Sequence, residues 1–266
     1  MPVITLITDW NHGDHYLGAL KGKILGLMPE ANVVDISHQV PAFGYIRAAF
    51  ILRNSYPNFP KGTIHILGIN SEARPETPHL IVFHEGHFFI GADNGIFGLL
   101  FNNYPVKAIR LKFVNTTFPE YDVFAETAIS IAKGENIDKL GTPYEKLFLP
   151  APLLATIDNS VINGSVIYID SYYNAITNIT KEIFDKIGYH RRFEILVQSN
   201  FYKIIKINKH YHETPNGELL ALFNSLGMLE IAINQGNAAE LLNLNTNSLV
   251  RVKFYDTPER EELKML

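Results

Sequence analysis

The stretch VITLITDWNHGDHYLGALKGKILGL, residues 3–27, carries the reading of the fold. Its first six residues are apolar or β-branched without interruption, the pattern of a strand covered on both faces. From Tyr16 on, Leu17, Leu20, Ile24 and Leu27 return at helical spacing and make one apolar stripe. Between strand and helix, the loop TDWNHGDHY, residues 8–16, gathers Asp9, His12, Asp14 and His15. This is the opening of a β/α alternation, which NVVDIS (32–37) and TIHILGI (63–69) continue, with a second helix predicted over about 45–54, ahead of Pro57. HLIVFH (79–84) and HFFIGA (87–92) meet at Glu85-Gly86, which predicts a tight hairpin with glycine at a positive φ. A further helix is expected over 123–133, stopping at Gly134.

Downstream the pattern changes. Residues 142–159, TPYEKLFLPAPLLATIDN, hold three prolines and little periodicity and read as a linker. Beyond them come short runs spaced by Gly, Asn and Pro turns: SVIYID, FEILVQS, YKIIKIN, MLEIAIN and LVRVKF. Such runs suit a small barrel or sandwich. The expected organisation is an α/β domain over residues 1–150, its sheet mostly parallel, and an all-β domain over 160–266, with no internal repeat and no low-complexity tract.

A formal charge of −4 leaves no basic footprint for nucleic acid, so a small molecule is the expected partner. No apolar run approaches the roughly 18 residues that a membrane span needs. The amino terminus MPVITLITDW lacks the positive region of an export signal, so a cytoplasmic location is expected. Without cysteine there is no disulfide, thiolate metal site or cysteine nucleophile.

A loop behind the first parallel strand lies at the carboxyl edge of its sheet, where open α/β sheets hold ligands. Gly13 stands alone, so TDWNHGDHY is no phosphate cradle. His12, Asp14 and His15 are metal-ligand types, but neighbours this close do not converge on one ion without a further ligand, and no metal is expected. That leaves either solvated loop polars or a carboxylate, Asp9, reading hydroxyl groups as acids do on ribose diols. ADNGIF (92–97) reads alone as a turn between strand and helix. In YIDSYYNAITNI (168–179), Asp170, Asn174 and Asn178 interrupt a β-like run, as a polar rim or as binding groups. In NSLGMLEIAINQGNAAELL (224–242), a strand leads to an Asn-Gln-Gly-Asn loop whose backbone is suited to a purine edge. His84, His87, His210 and His212 receive no role.

Together these stretches resemble the S-adenosylmethionine hydroxide adenosyltransferases, relatives of the fluorinase and chlorinase that join halide to C5′ of S-adenosylmethionine. TDWNHGDHYLGALKG is similar to the family's T-D-F-G-x-x-D-x-Y-V-G-x-x-K-G, VVDISHQVP to V-D-I-S-H-x-I-P, and GADNGIF to G-P-D-N-G-L. IDSYYNAITNI is similar to I-D-H-F-G-N-L-I-T-N-I, and the stretch from Asn224 to N-S-x-G-Y-L-E-I-A-x-N-x-G-x-A. The resemblance implies an α/β amino domain, a carboxyl β-barrel and a homotrimer with sites at subunit interfaces, using S-adenosylmethionine as substrate with no cofactor. It implies that Asp9 holds the ribose hydroxyls, with Trp10, Asp14, Phe118 and Asp122 in the substrate shell. Asp170 would meet the methionine ammonium, Tyr172 and Tyr211 line the nucleoside, and Asn174 read adenine. Ser225 would lie near the methionine carboxylate, and Asn234 and Gln235 offer backbone groups to the adenine edge.

The family's catalytic set does not carry over. Against V-D-P-G-V-G and its following arginine, INSEARPET (69–77) has Asn70 for the aspartate and Thr77 for the arginine. Against T-F-H-G-R-D, TFPEYD (117–122) has Pro119 for the histidine. A sulfonium loses a neutral thioether and needs little leaving-group help, whereas water must be aligned and relieved of a proton. Asn70 can orient water but cannot take its proton, so Glu72 and Arg74 in the same segment are expected as a displaced base and its cation. The expected activity is hydrolysis to adenosine and methionine. The alternatives are a non-catalytic binder of S-adenosylmethionine or adenosine, and a halogenase, for which INSEARPE shows no recognisable halide pocket.

Overall fold

A computed structural model describes residues 2–101, 106–151, 154–199 and 201–256. The chain divides into two compact units, Met1–Ala151 and Pro152–Leu266.

The first unit is built on β1 (Val3–Thr8), β2 (Asn32–Ser37), β3 (Ile64–Gly68), β4 (His79–His84), β5 (His87–Ala92), β6 (Lys107–Leu111) and β7 (Gly141–Pro143). They lie in the order β2-β1-β3-β5-β4-β6-β7. The first four in that order run parallel, and the β4–β5 hairpin turns the rest antiparallel. Its turn carries φ of 49° at Glu85 and 89° at Gly86, the left-handed pair that matches strand twist.

The continuous apolar runs follow from cover on both faces. Ile4, Leu6, Ile64, Ile66 and Ile90 point to one face, under α1 (His15–Leu27) and α4 (Ala125–Ala132). Ile7, Leu67 and Phe89 point to the other, under α2 (Tyr45–Ser55) and α3 (Ile96–Phe101). Strand alternation therefore places every second residue in a different core. On α1 the stripe is Leu17, Leu20 and Ile24, while Leu27, expected on it, is 39% exposed because Met28 turns inward at the helix end. β2 is only partly covered, since it forms the edge of the sheet. The helix expected over 123–133 begins earlier, with a π turn over Glu120–Phe124, and ends before Gly134 at φ 85°.

The second unit holds β8 (Thr156–Asp158), β9 (Val161–Ile169), β10 (Ala175–Thr180), β11 (Arg192–Val197), β12 (Tyr202–Ile204), β13 (Ile207–Asn208), β14 (Leu219–Phe223), β15 (Met228–Ile233) and β16 (Leu249–Tyr255). They follow the order β12-β11-β16-β9-β10-β15-β14-β13, with β8 beside β9, and β12 lies near β14, so the sheet curls into a nearly closed barrel. The long β9 pairs with β16 along its first half and with β10 along its second. Two short helices follow strands: α5 (Lys181–Gly188) is capped by the Thr180 hydroxyl, which accepts from Ile183 N–H at 3.2 Å, and α6 (Ala238–Leu241) follows β15. Phe184 of α5 packs edge-on against Phe193, Phe223 and Phe254 and closes the interior. The polar interruption at 170–174 is a turn joining β9 to β10, because the Asp170 carboxylate holds the chain there in an Asx turn.

Candidate functional site

In the first unit, the ends of β1, β3 and β5 bring polar groups to one edge of the sheet. Asp9 leaves β1 with its N–H donated to the Gly68 carbonyl at 3.1 Å. Its Oδ2 accepts from the backbone N–H of Phe43 at 2.8 Å and of Asn70 at 3.2 Å. Both donors are left-handed, at φ 64° and 43°. Asparagine tolerates that region and phenylalanine does not, so the carboxylate offsets a local backbone cost and is itself held in one orientation. After β5, the Asn94 amide donates to the Ile69 carbonyl at 2.7 Å and steadies the chain that presents Asn70.

Asn70, Glu72 and Arg74 share one loop. Asn70 is exposed beside Asp9, while Arg74 Nη2 donates to Glu72 Oε2 at 2.7 Å, both side chains being more than half exposed. Arg74 and Thr77 exchange backbone hydrogen bonds of 3.3 and 3.1 Å, which pinch the loop. Trp10 packs edge-on to Phe118 at 5.4 Å and near Tyr16 at 5.8 Å. Asp122 accepts from the Thr116 hydroxyl, which itself accepts from Phe118 N–H, so this acid shapes its own loop. Asp14 stands exposed at the N-cap position just before α1, with no side-chain capping bond. His12 packs against His38 and His15 against Tyr16. Among the described residues no three His, Cys, Asp or Glu side chains gather as a metal site, and no helix is long and apolar enough to cross a membrane.

Two acids at this edge stand outside the expected set. Asp93 is fully buried and accepts from Phe148 N–H at 3.0 Å, and burial raises its carboxyl above the ordinary range. It ties the chain after β7 to the end of β5. Glu120, at the start of the π turn, is 4% exposed, and burial pushes its carboxyl up to about 7. The nearby Asp9 carboxylate adds to that rise, while the Ser71 hydroxyl and the Glu120 backbone oppose it. The visible signal was a glutamate beside Pro119 in TFPEYD, indistinguishable in sequence from a surface acid opening a helix.

In the second unit, an open depression of about 420 Å³ is lined by Asp170, Lys209, Tyr211, Asn224, Ser225 and Glu230. Asp170 Oδ1 accepts from the N–H groups of Tyr172 and Asn174, both at 2.9 Å, and Oδ2 from the Asn174 amide at 3.2 Å. Buried Glu230 accepts from the Tyr211 hydroxyl at 2.6 Å and the Asn224 amide at 3.2 Å. Burial and then Glu230 raise the Tyr211 hydroxyl, so it stays a donor. Tyr172 is 77% exposed and, like Asn174, does not line the depression. Asn234 and Gln235 also lie outside its lining. The Asn234 N–H donates to Glu218 and its carbonyl accepts from Gly217. The second lone pair of that carbonyl is what Asn234 could still offer to an adenine edge. Gln235 is exposed at φ 52°.

Residues 4–141 match the SAM hydroxide adenosyltransferase N-terminal domain, and residues 164–251 the SAM hydroxide adenosyltransferase C-terminal domain. The chain is 30% identical to an (R)-S-adenosyl-L-methionine hydrolase of Methanocaldococcus jannaschii, over 92% of this chain and 93% of that protein. A protein of the same name from Thermus thermophilus is 25% identical over 95% of this chain and all of its own length. Among solved structures, a conserved protein of Thermotoga maritima matches with a TM-score of 0.84 at 23% identity, covering 95% of this chain and all of that one. Another from Thermus thermophilus matches at 0.75 and 26%, covering 96% of this chain and all of that one.

Proposed function

We propose that this chain, which belongs to the SAM hydroxide adenosyltransferase family, hydrolyses S-adenosylmethionine to adenosine and methionine by attack of water at C5′. The observation that carries the reading is the Asp9 carboxylate, fixed through Oδ2 by two backbone N–H groups at the carboxyl edge of the sheet. Its other oxygen is available to accept from a ribose hydroxyl. The proposed roles of the other groups follow the resemblance. Asn70 orients the water, and Trp10, Asp14, Phe118 and Asp122 form the shell about the ribose. Asp170 and Ser225 take the amino and carboxyl groups of the methionine, while Tyr172, Asn174, Tyr211, Asn234 and Gln235 surround the nucleoside. The relatives' shared name supports the (R) epimer at sulfur as the substrate. The assembly proposed is a homotrimer in the cytoplasm, without cofactor.

The presence of Asn70, Thr77 and Pro119 at the family's catalytic positions favours a second reading, a binder of S-adenosylmethionine or adenosine without turnover. One experiment separates them. Purified protein is incubated with each sulfonium epimer, with and without chloride, and the nucleosides are resolved by chromatography. Adenosine supports hydrolysis, chlorinated nucleoside a halogenase, and saturable binding without product the second reading. Failure to bind any adenosine compound refutes all of them. Light scattering reads the assembly.

A further inference from the structure

Glu120 is a buried acid with no ion pair among the described residues. Buried carboxyls are nearly always paired with a cation or fully hydrogen-bonded. Here the buried Ser71 hydroxyl faces the carboxyl without completing a well-aligned bond. The acid has a made-to-measure seat. A side chain on Gly68 would place its Cβ 3.2 Å from Glu120 Cγ, 3.3 Å from Oε1 and 3.0 Å from Thr8 Cγ2. Gly68 does not adopt a positive φ, so glycine serves here to leave room for the carboxyl between the ends of β1 and β3. The same Gly68 holds Asp9 through its carbonyl. The π turn that swings Glu120 inward is a rare form, found often at functional sites. Packing alone would be served as well by an uncharged side chain.

We propose that Glu120 is the base that takes the proton of the attacking water, a step that rests on the hydrolase reading. A water oxygen forms its bond to C5′ as the C5′–S bond breaks and the electron pair leaves with sulfur, giving neutral methionine. The water proton passes to the Glu120 carboxylate and from there to solvent, so one proton is released per adenosine. A base works best when its own pKa lies near the working pH, and burial brings Glu120 there. Glu72, exposed and paired with Arg74, lacks such dry surroundings. The ionisable group that acts on Glu120 is Asp9, just past β1, and Tyr121 and Asp122 adjoin it on its own segment. Lys23 is engaged by Glu126, and His79 is kept neutral by burial and hydrogen-bonded to the Ser71 carbonyl, so Asp9 is the charge that acts on it.

The test compares full-length wild type, Glu120→Gln and Glu72→Gln by adenosine release from S-adenosylmethionine across pH 5–9, with binding measured by calorimetry. Loss of a general base lowers kcat by roughly 100-fold or more. Glu120→Gln should show that loss with Kd within about threefold, and wild-type kcat/KM, which reports the free enzyme, should rise through an inflection near 7 that the variant lacks. Glu72→Gln should retain the inflection. If wild type turns over and Glu120→Gln does too, within about threefold, the base assignment is overturned while the hydrolase reading stands. The same holds if Glu72→Gln alone abolishes turnover. A wild type that releases no adenosine overturns both. Should Glu120→Gln fail to fold, a wild-type profile flat between pH 6 and 8 is sufficient to refute the assignment.

Discussion

Replacing Glu120 by glutamine should change how the stability of the first unit depends on pH. The carboxyl ionises at 4.5 in its ordinary setting and at about 7 in the folded protein, because burial disfavours its charged form. Between these values the folded chain holds a proton that the unfolded chain has released, so stability falls as pH rises through the window. Below 4.5 both states are protonated and the penalty is absent, and above 7 it is complete. At about 1.4 kcal/mol per pKa unit, the rise amounts to about 3 kcal/mol. No discount for solvent screening applies, since the residue is 4% exposed. For a unit of this size that corresponds to roughly 6–12 °C in Tm. Trp10 is the only tryptophan and packs against Phe118, two residues before Glu120, so its fluorescence reports this unit. Urea unfolding of wild type and Glu120→Gln at pH 4.5 and 8 should show wild type losing about 3 kcal/mol more than the variant. The buried histidines and Asp93 titrate in both proteins and cancel in the comparison. Parallel pH dependence of the two proteins would refute the account of a buried, unpaired acid.

Three further outcomes follow from the geometry. Asp9→Ala should weaken adenosine binding by about 3 kcal/mol, on the order of 100-fold, by removing a charged acceptor for two hydroxyls; calorimetry showing unchanged affinity would rule out the ribose role. Leu20→Ala removes a fully buried side chain of α1 and should cost about 2–5 kcal/mol in urea unfolding followed through Trp10. A value under about 1 kcal/mol would mean that α1 does not depend on that contact. Tyr211→Phe leaves buried Glu230 with the Asn224 amide alone and should cost about 1–3 kcal/mol of stability by circular dichroism, an effect that should vanish on a Glu230→Leu background if the contact is the cause.

Much of the architecture was legible from local pattern. The Glu85-Gly86 hairpin, the α1 stripe and the α2 boundaries follow from glycine conformation and from helical spacing, which act over a few residues. Where the pattern misled, a contact distant in sequence or a side chain bonding to its own backbone was responsible. Leu27 lost its place in the core to Met28, and the 168–179 run broke into two strands because Asp170 captured the amides of Tyr172 and Asn174. β2 is partly bare because sheet order, not its own composition, put it at an edge.

For the site, sequence motifs by themselves pointed to Asp9 and to the family, since side-chain type and order along the chain are enough to mark a candidate ligand loop behind a first strand. What fixes Asp9 was not visible there: its partners, Phe43 and Asn70, lie 34 and 61 positions away. Tertiary structure alone also separated Glu72 from Glu120. In sequence they are two glutamates in two polar loops, but folding leaves one in water beside an arginine and seals the other over Gly68 next to Asp9. Residue type sets which proton a group can hold, and burial, which only the packed chain decides, sets the pH at which it lets that proton go.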